Sequence, residues 1–363
     1  MKRILCLAVA AALLIACFGV NAFAKESERI LALAERFTEE AGPEINGISI
    51  DYLSYSPKAE KGVKYPLLIL LHGMGQGEKK GDQIVNNDFP AFAGEEMQSR
   101  FTNGAAFLFI PRSDESGDPY GTWTNDEVEP LYSAISGFIS ENRAHIDTTR
   151  IYIGGYSMGG KMVLKMISSY PGMFAAAFPM CPAYIPDDEQ IEAVADMPLW
   201  VSCSRYDVIG GYHVFGKYIW EQICRITRVP GSCRLSVFAT VCYPDGKKTP
   251  SNHHVWFAAS NDMFSYEGGD YPNMETFGTD GEEIKLTYPD GLISWLNGFT
   301  SSYTGNDVAN TNLVEENIST VWDMGKRILK GIGYEIADTF RALSGMSLSK
   351  EGLKELSARL GIK

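Results

Sequence analysis

Positive charge is what this 363-residue chain has least of: 32 lysines and arginines stand against 45 aspartates and glutamates, a formal charge of −13. Nucleic acid and anionic membrane surfaces both require net positive faces, so neither is an expected partner. Polyanionic substrates are disfavoured on the same ground. Past residue 24 no apolar run is long enough to span a bilayer. Internal repeats and low-complexity tracts are also missing, and 45% hydrophobic content is ample for a packed core, so disorder is not the expectation. Histidine is scarce at five residues, so imidazole chemistry has few places to sit.

The first 24 residues read as a leader rather than as part of the fold. Lys2 and Arg3 precede an apolar run from Ile4 to about Val20, and Ala22-Phe23-Ala24 has the small-x-small form of a signal-peptidase site. A rival reading takes Leu14-Ile15-Ala16-Cys17 as a lipoprotein box that would leave Cys17 lipid-anchored. The Ala-x-Ala site lies at the conventional end of the apolar run and favours simple secretion. Export permits disulfides, and the later cysteines are Cys181, Cys203, Cys224, Cys233 and Cys242. An odd count leaves at least one thiol unpaired within the chain. Cys224 and Cys233 flank the turn-like "RVPGS" and are the expected local pair, whereas Cys181 and Cys203 read as small core residues.

Residues 26–40 have a helical apolar rhythm ending at Gly42-Pro43, and "GISIDYLSYSP" alternates like a half-exposed strand. Five apolar runs then recur: "YPLLILLHG", "GAAFLFIPR", "RIYIGG", "PLWVSCSRYD" and "CRLSVFATVCY". Helical patterns lie between several of them, at 131–142, 160–170 and 212–226. Strands apolar throughout, alternating with helices, predict an α/β fold with a mainly parallel sheet covered on both faces. In such sheets chemistry gathers at the carboxyl ends of the strands. Residues 260–283, rich in Gly, Asp, Asn, Tyr and Phe, read as an inserted loop or small hairpin. "YPDGLISWLNGF" looks like a closing helix. The sheet-bearing body is thus expected over 25–302, followed by a helical C-terminal extension over 303–363. There acids and bases balance, and Ile318, Val321, Trp322, Ile328, Ile332, Ile336, Phe340 and Leu343 share one helical face. That face is a candidate for contact with a protein or a membrane surface.

"IYIGGYSMGGKMVLKM", residues 151–166, sets one serine between glycines where a buried strand turns into a helix. Gly155-Tyr156-Ser157-Met158-Gly159 matches the nucleophile elbow, a strained turn that exposes a hydroxyl above the sheet and offers backbone N–H groups at the helix start. A serine near its ordinary pKa needs a base, and the base an orienting carboxylate. The order serine, acid, histidine leaves His253 and His254 in "PSNHHVWFAAS" as candidate bases. His72 and His145 precede the serine, and His213 falls in a helix. Asp207 ends "LWVSCSRYD" and is the candidate acid; Asp187 and Asp188 are weaker rivals. In "LLHGMGQG", residues 70–77, the N–H of Met74 is placed to complete an oxyanion hole with that of Met158. His72 is expected only to shape that loop, while Trp123 and Trp256 are candidates for lining a cleft.

Taken together these stretches resemble the α/β-hydrolases, and within them secreted esterases and peptidases related to feruloyl esterases and to the prolyl-oligopeptidase catalytic domain. The resemblance runs from about Tyr65 to Phe299, and "HIDTTRIYIGGYSMGG" is its most specific part. It implies Ser157 as nucleophile, Asp207 as acid, and Met74 and Met158 as oxyanion donors. A His-x-x-Trp pattern of that family, counted back from Trp256, implies His253 as base. Asn252 and the second histidine depart from the family pattern, and no dockerin-like or carbohydrate-binding module is recognisable. The expected function is a secreted or cell-surface serine hydrolase acting on carboxylic esters, small or polysaccharide-linked, with no metal or cofactor implied. A serine peptidase and a non-catalytic binding protein on the same fold are the rival readings.

Overall fold

The computed structural model describes residues 28–76, 88–113, 123–242, 248–249, 251–260, 262, 274–286 and 290–303. The leader and the extension from residue 304 onward lie outside the described residues. Nine strands form one sheet: β1 (Thr38–Ala41), β2 (Asp51–Tyr55), β3 (Tyr65–Leu71), β4 (Phe107–Pro111), β5 (Ile146–Tyr156), β6 (Ala176–Met180), β7 (Trp200–Ser204), β8 (Arg234–Phe238) and β9 (Met274–Phe277). Their order is β1-β2-β4-β3-β5-β6-β7-β8-β9. From β4 to β8 the neighbours are parallel, and β1, β2 and β9 join antiparallel at the margins. The helices are α1 (Glu28–Ala34), α2 (Glu95–Arg100), α3 (Val128–Glu141), α4 (Met158–Ser169), α5 (Asp188–Ala193), α6 (Lys217–Ile226), α7 (Trp256–Ser260) and α8 (Leu292–Asn297).

Strand β3 shows why the central runs are apolar at every position. Leu67, Ile69 and Leu71 enter one buried cluster with side chains of α3, α4 and α6. Leu68 and Leu70 enter a second cluster with Phe89, Phe92, Trp256 and Trp295. A strand buried on both faces needs no polar alternation. Each such side chain contributes roughly 1.5–3 kcal/mol on burial. This is the α/β-hydrolase arrangement expected from the sequence.

The structure decides four local points. The helix expected over 26–40 ends at Ala34, because residues 38–41 pair with β2 instead. Strand β6, "AAFPM", adds to the five expected strands: it lies in the apolar strand-like run that leads to Cys181, and its pairing with β5 fixes it. Of the two readings of residues 260–283, a small hairpin is found at the end of the segment, where residues 274–277 join the sheet as β9 and Phe277 bridges back to Glu283. Finally, no disulfide joins any two of the five described cysteines. The expected pair is not formed, since the buried Cys233 thiol faces the Thr227 hydroxyl at 3.5 Å and the Met197 carbonyl at 3.7 Å.

The turn after β3 is set by His72, which is fully buried. Its Nδ1 lies 2.7 Å from the Gly73 carbonyl, and its Nε2 accepts the Ser113 N–H at 3.1 Å. A carbonyl partner on one nitrogen and an N–H partner on the other require the neutral ring with its proton on Nδ1. Burial favours the same form and pulls the pKa down to about 4. Trp123 Nε1–H donates to the His72 carbonyl at 2.9 Å, and the two rings lie 5.0 Å apart. The ring thus ties the carboxyl ends of β3 and β4 together.

A second tie lies at the opposite end of the chain order. Asp262 is buried, accepting from Arg100 Nη1 at 2.7 Å and from the Leu292 N–H at 2.7 Å. It joins the last turn of α2 to the first residue of α8. Burial raises its pKa despite the arginine, so desolvation outweighs attraction there. The cost appears when one partner is removed and the other is left stranded. We expect Asp262→Ala to lower unfolding free energy by about 3 kcal/mol, read as a lower urea midpoint. For His72 the sign follows from its depressed pKa: stability present above pH 6.5 is lost as pH falls towards 4, because the unfolded chain takes up the proton first. In urea titrations across that window, His72→Gln should make the acid slope shallower by up to about 1.4 kcal/mol per pH unit; an unchanged slope would assign the acid sensitivity elsewhere.

Candidate active site

Ser157 occupies the single residue between β5 and α4, with φ 55° and ψ −117°. A non-glycine residue at such angles is strained by roughly 1–3 kcal/mol, and the strain is held by close backbone packing. A Cβ on Gly159 would lie 2.2 Å from the Leu71 carbonyl oxygen, and one on Gly155 would lie 2.8 Å from the Gly159 backbone. Only glycines allow α4 to begin hard against the end of β3. The Ser157 N–H donates to the Met180 carbonyl at 2.9 Å, and the Ser157 carbonyl accepts from Lys161 and Ala183.

Asp207 follows β7 and is 4% exposed. Its Oδ1 accepts the Ile209 N–H at 2.8 Å, and its Oδ2 accepts the Gly210 N–H at 3.2 Å. These donors aim the carboxylate before any histidine is considered. Oδ2 then lies 2.7 Å from His253 Nδ1. His253 is likewise 4% exposed, so the contact is shielded from solvent on both sides. Its backbone is fixed in turn: the His253 N–H donates to Ser251 Oγ at 3.1 Å, and its carbonyl accepts from Cys181 Sγ at 3.3 Å.

Of the two adjacent histidines, His253 therefore is the one joined to Asp207. His254 turns into the aromatic core, with its ring 4.4 Å from Trp256 and 5.7 Å from Phe257. Burial first, and the neighbouring His253 second, draw its pKa down to about 3. The rival carboxylates have other roles. Asp187 caps α5 by accepting the Gln190 N–H at 2.8 Å, and Asp188 pairs at the surface with Arg225.

Tyr156 gathers these loops. Its ring is 5.7 Å from His253 and 4.0 Å from Trp256, and a Cβ on Gly73 would lie 2.6 Å from it. Met158 is the first residue of α4, where backbone N–H groups have no helical partner. Met74 directly follows Gly73, whose N–H is tied to Gln76 Oε1 at 3.0 Å. The turn after β3 and the start of α4 are thus neighbours through Gly159. Trp123 and Trp256, named as cleft-lining candidates, are each 1% exposed. They pack behind the site against His72 and Tyr156 and present no surface to a cleft.

Cys181 was read only as core. It directly follows β6 with φ 35°, and its Sγ, an Asp207 oxygen and a His253 nitrogen lie within 4.8 Å of one another. The signal available in "PMCPAY" was a soft donor at a strand's carboxyl end, which sequence reasoning passed over. These three are the one group of metal-ligand type found among the described residues.

Residues 47–222 match the model of the family described as "Putative esterase". That segment carries Ser157 and Asp207 and ends before His253. No curated protein sequence matches the chain. Among solved structures, one described as a thermostable esterase aligns at 24% identity and a TM-score of 0.52, over 63% of this chain and 61% of that one. A Pyrococcus horikoshii acylaminoacyl peptidase aligns at 13% and 0.44, over 63% of this chain and 41% of its own. Esterase 2 of Thermogutta terrifontis aligns at 13% and 0.46, over 67% and 94%. The chain thus spans less than two thirds of the first of these and under half of the peptidase. Strand order, the glycine-flanked elbow and the likeness to the thermostable esterase show the α/β-hydrolase fold, and residues 47–222 are similar to the esterase family's model.

Proposed function

We propose that the chain is a secreted serine hydrolase that cleaves carboxylic esters through an acyl-enzyme. The observation that carries this reading is the buried 2.7 Å contact between His253 Nδ1 and Asp207 Oδ2, on the loops that flank the strained serine. With Asp207 accepting at Nδ1, the imidazole keeps its Nε2 lone pair for the serine proton. Ser157 Oγ attacks the ester carbonyl as His253 Nε2 takes that proton. The carbonyl oxygen becomes an oxyanion facing the Met158 and Met74 N–H groups. On collapse the C–O bond breaks, and His253 returns the proton to the leaving alcohol. Water then attacks the acyl-serine with His253 again as base, releasing the acid and restoring the serine.

The dyad would be stabilised most when the imidazole is charged. Its buried carboxylate is already held by two backbone N–H groups, so little reorganisation is needed as charge develops. The match to an esterase family supports an ester over an amide as the scissile bond, and the leader supports export. The substrate fitting this reading is a small or polysaccharide-linked ester. The extension beyond residue 303 is proposed to serve a surface or protein contact rather than the chemistry.

A fluorophosphonate probe tests the nucleophile directly. Purified protein should be labelled once, at Ser157, and Ser157→Ala should abolish both labelling and hydrolysis of short-chain aryl esters. Asp207→Asn, which keeps the shape and removes the charge, should cut kcat by roughly 10,000-fold while the protein stays folded by circular dichroism. Absence of labelling in folded wild-type protein would overturn the proposal.

A further inference from the structure

The proposed chemistry gives Cys181 no more than a hydrogen bond to the His253 carbonyl, yet its thiol lies beside the two groups on which that chemistry depends. Sγ of Cys181, a carboxylate oxygen of Asp207 and a ring nitrogen of His253 are mutually within 4.8 Å, and all three residues are buried. Thiolate, carboxylate and imidazole are the donors that bind Zn²⁺, with bonds of about 2.0–2.3 Å. Tetrahedral bonds of that length put ligand atoms roughly 3.5 Å apart. To reach that spacing the thiol has to close in, while the His253 Nδ1–Asp207 Oδ2 pair, now 2.7 Å apart, has to open by under about an ångström.

Outer contacts that orient metal ligands are in place too. Asp207 is held by the Ile209 and Gly210 N–H groups, and the Cys181 thiol is held by the His253 carbonyl at 3.3 Å. A core cysteine surrounded only by aliphatic side chains would offer none of this. We propose that Cys181, Asp207 and His253 form a Zn²⁺ site whose occupation switches the protein off.

The chemistry balances without an oxidant or reductant. Zn–S, Zn–O and Zn–N bonds form, the S–H bond of Cys181 breaks, and its proton leaves to solvent. The proton on His253 Nδ1 is displaced as the metal takes that lone pair, and the ring becomes the Nε2–H tautomer. A water fills the fourth position. An imidazole protonated on Nε2 has nothing with which to accept the Ser157 proton. Inhibition therefore follows from a change of tautomer as well as from loss of the Asp207 contact. This inhibitory consequence rests on the proposed hydrolase reading; the binding itself does not.

The test separates the two. Isothermal titration of reduced, metal-free full-length protein with Zn²⁺ should give one site per chain. Titration with Co²⁺ should give a thiolate-to-cobalt charge-transfer band. Cys181→Ala should lose the band and bind Zn²⁺ at least about ten-fold more weakly, its fold being checked by circular dichroism because the thiol also donates to the His253 carbonyl. Cys224→Ala, at a thiol remote from the cluster, should bind as wild type does. In activity assays Zn²⁺ should inhibit the wild type, a chelator should restore it, and Cys181→Ala should resist. Absence of one-to-one binding, or equal binding and equal inhibition in Cys181→Ala, would overturn the site. Should the metal-free wild type prove inactive towards esters and unreactive to the probe, the hydrolase reading fails, and the cobalt band alone decides the metal site.

Discussion

The close approach of α4 to the end of β3 is the constraint on which the rest depends. Gly159 sits against the Leu71 and His72 carbonyls with no room for a side chain, and Gly155 closes the other side. That contact forces Ser157 into positive φ and lifts its hydroxyl out of the sheet. It also sets Met158 beside the turn that carries Met74. One backbone contact thus fixes the serine and both prospective oxyanion donors relative to each other, and it uses no side chain to do so. The free energy for the strained residue comes from the doubly buried strands around it, which are numerous enough to hold it.

The remaining parts arrive from distant positions in the sequence. Asp207 comes from the end of β7 and His253 from beyond β8, 46 residues later. Each is anchored locally before it meets the other, Asp207 by the N–H groups of its own turn and His253 by Ser251 and Cys181. Tyr156 fills the space beneath and keeps the loops from collapsing together. Such pre-aligned parts lose little on forming a charged transition state, the general reason for building a site on rigid strand ends.

Much of this was legible before any coordinates. Five of the six parallel strands announced themselves as continuous apolar runs, because burial on both faces leaves that imprint on composition. The elbow was legible because its glycines answer a steric demand. Strand β6 was legible only as a strand-like apolar run before Cys181, since Ala-Ala-Phe-Pro-Met has little intrinsic preference and is held by its neighbours. The short strands β1 and β9 were not legible as parts of the sheet, since their pairing is decided by what lies beside them. His253 and His254 are identical by residue type and adjacent in sequence. Spacing to Trp256 favoured one of them by resemblance; the direction in which each ring points is a property of the turn and became visible only in three dimensions. The placement of the Cys181 thiol depends likewise on three separate strand ends.

The margin of the sheet at β1 has a consequence beyond the site. Its four residues, Thr38–Ala41, are exposed, and two of them are glutamates, one of which accepts from Tyr52 and Ser54 on the neighbouring strand. An outer strand with unpaired peptide groups invites pairing with another molecule, and a short, negatively charged one repels it. The opposite margin, β9, is equally short and folds back on itself at Glu283. Both rims are thus unsuited to growing the sheet from one molecule into the next, which protects a chain with so many apolar strands from aggregating while it folds at high concentration.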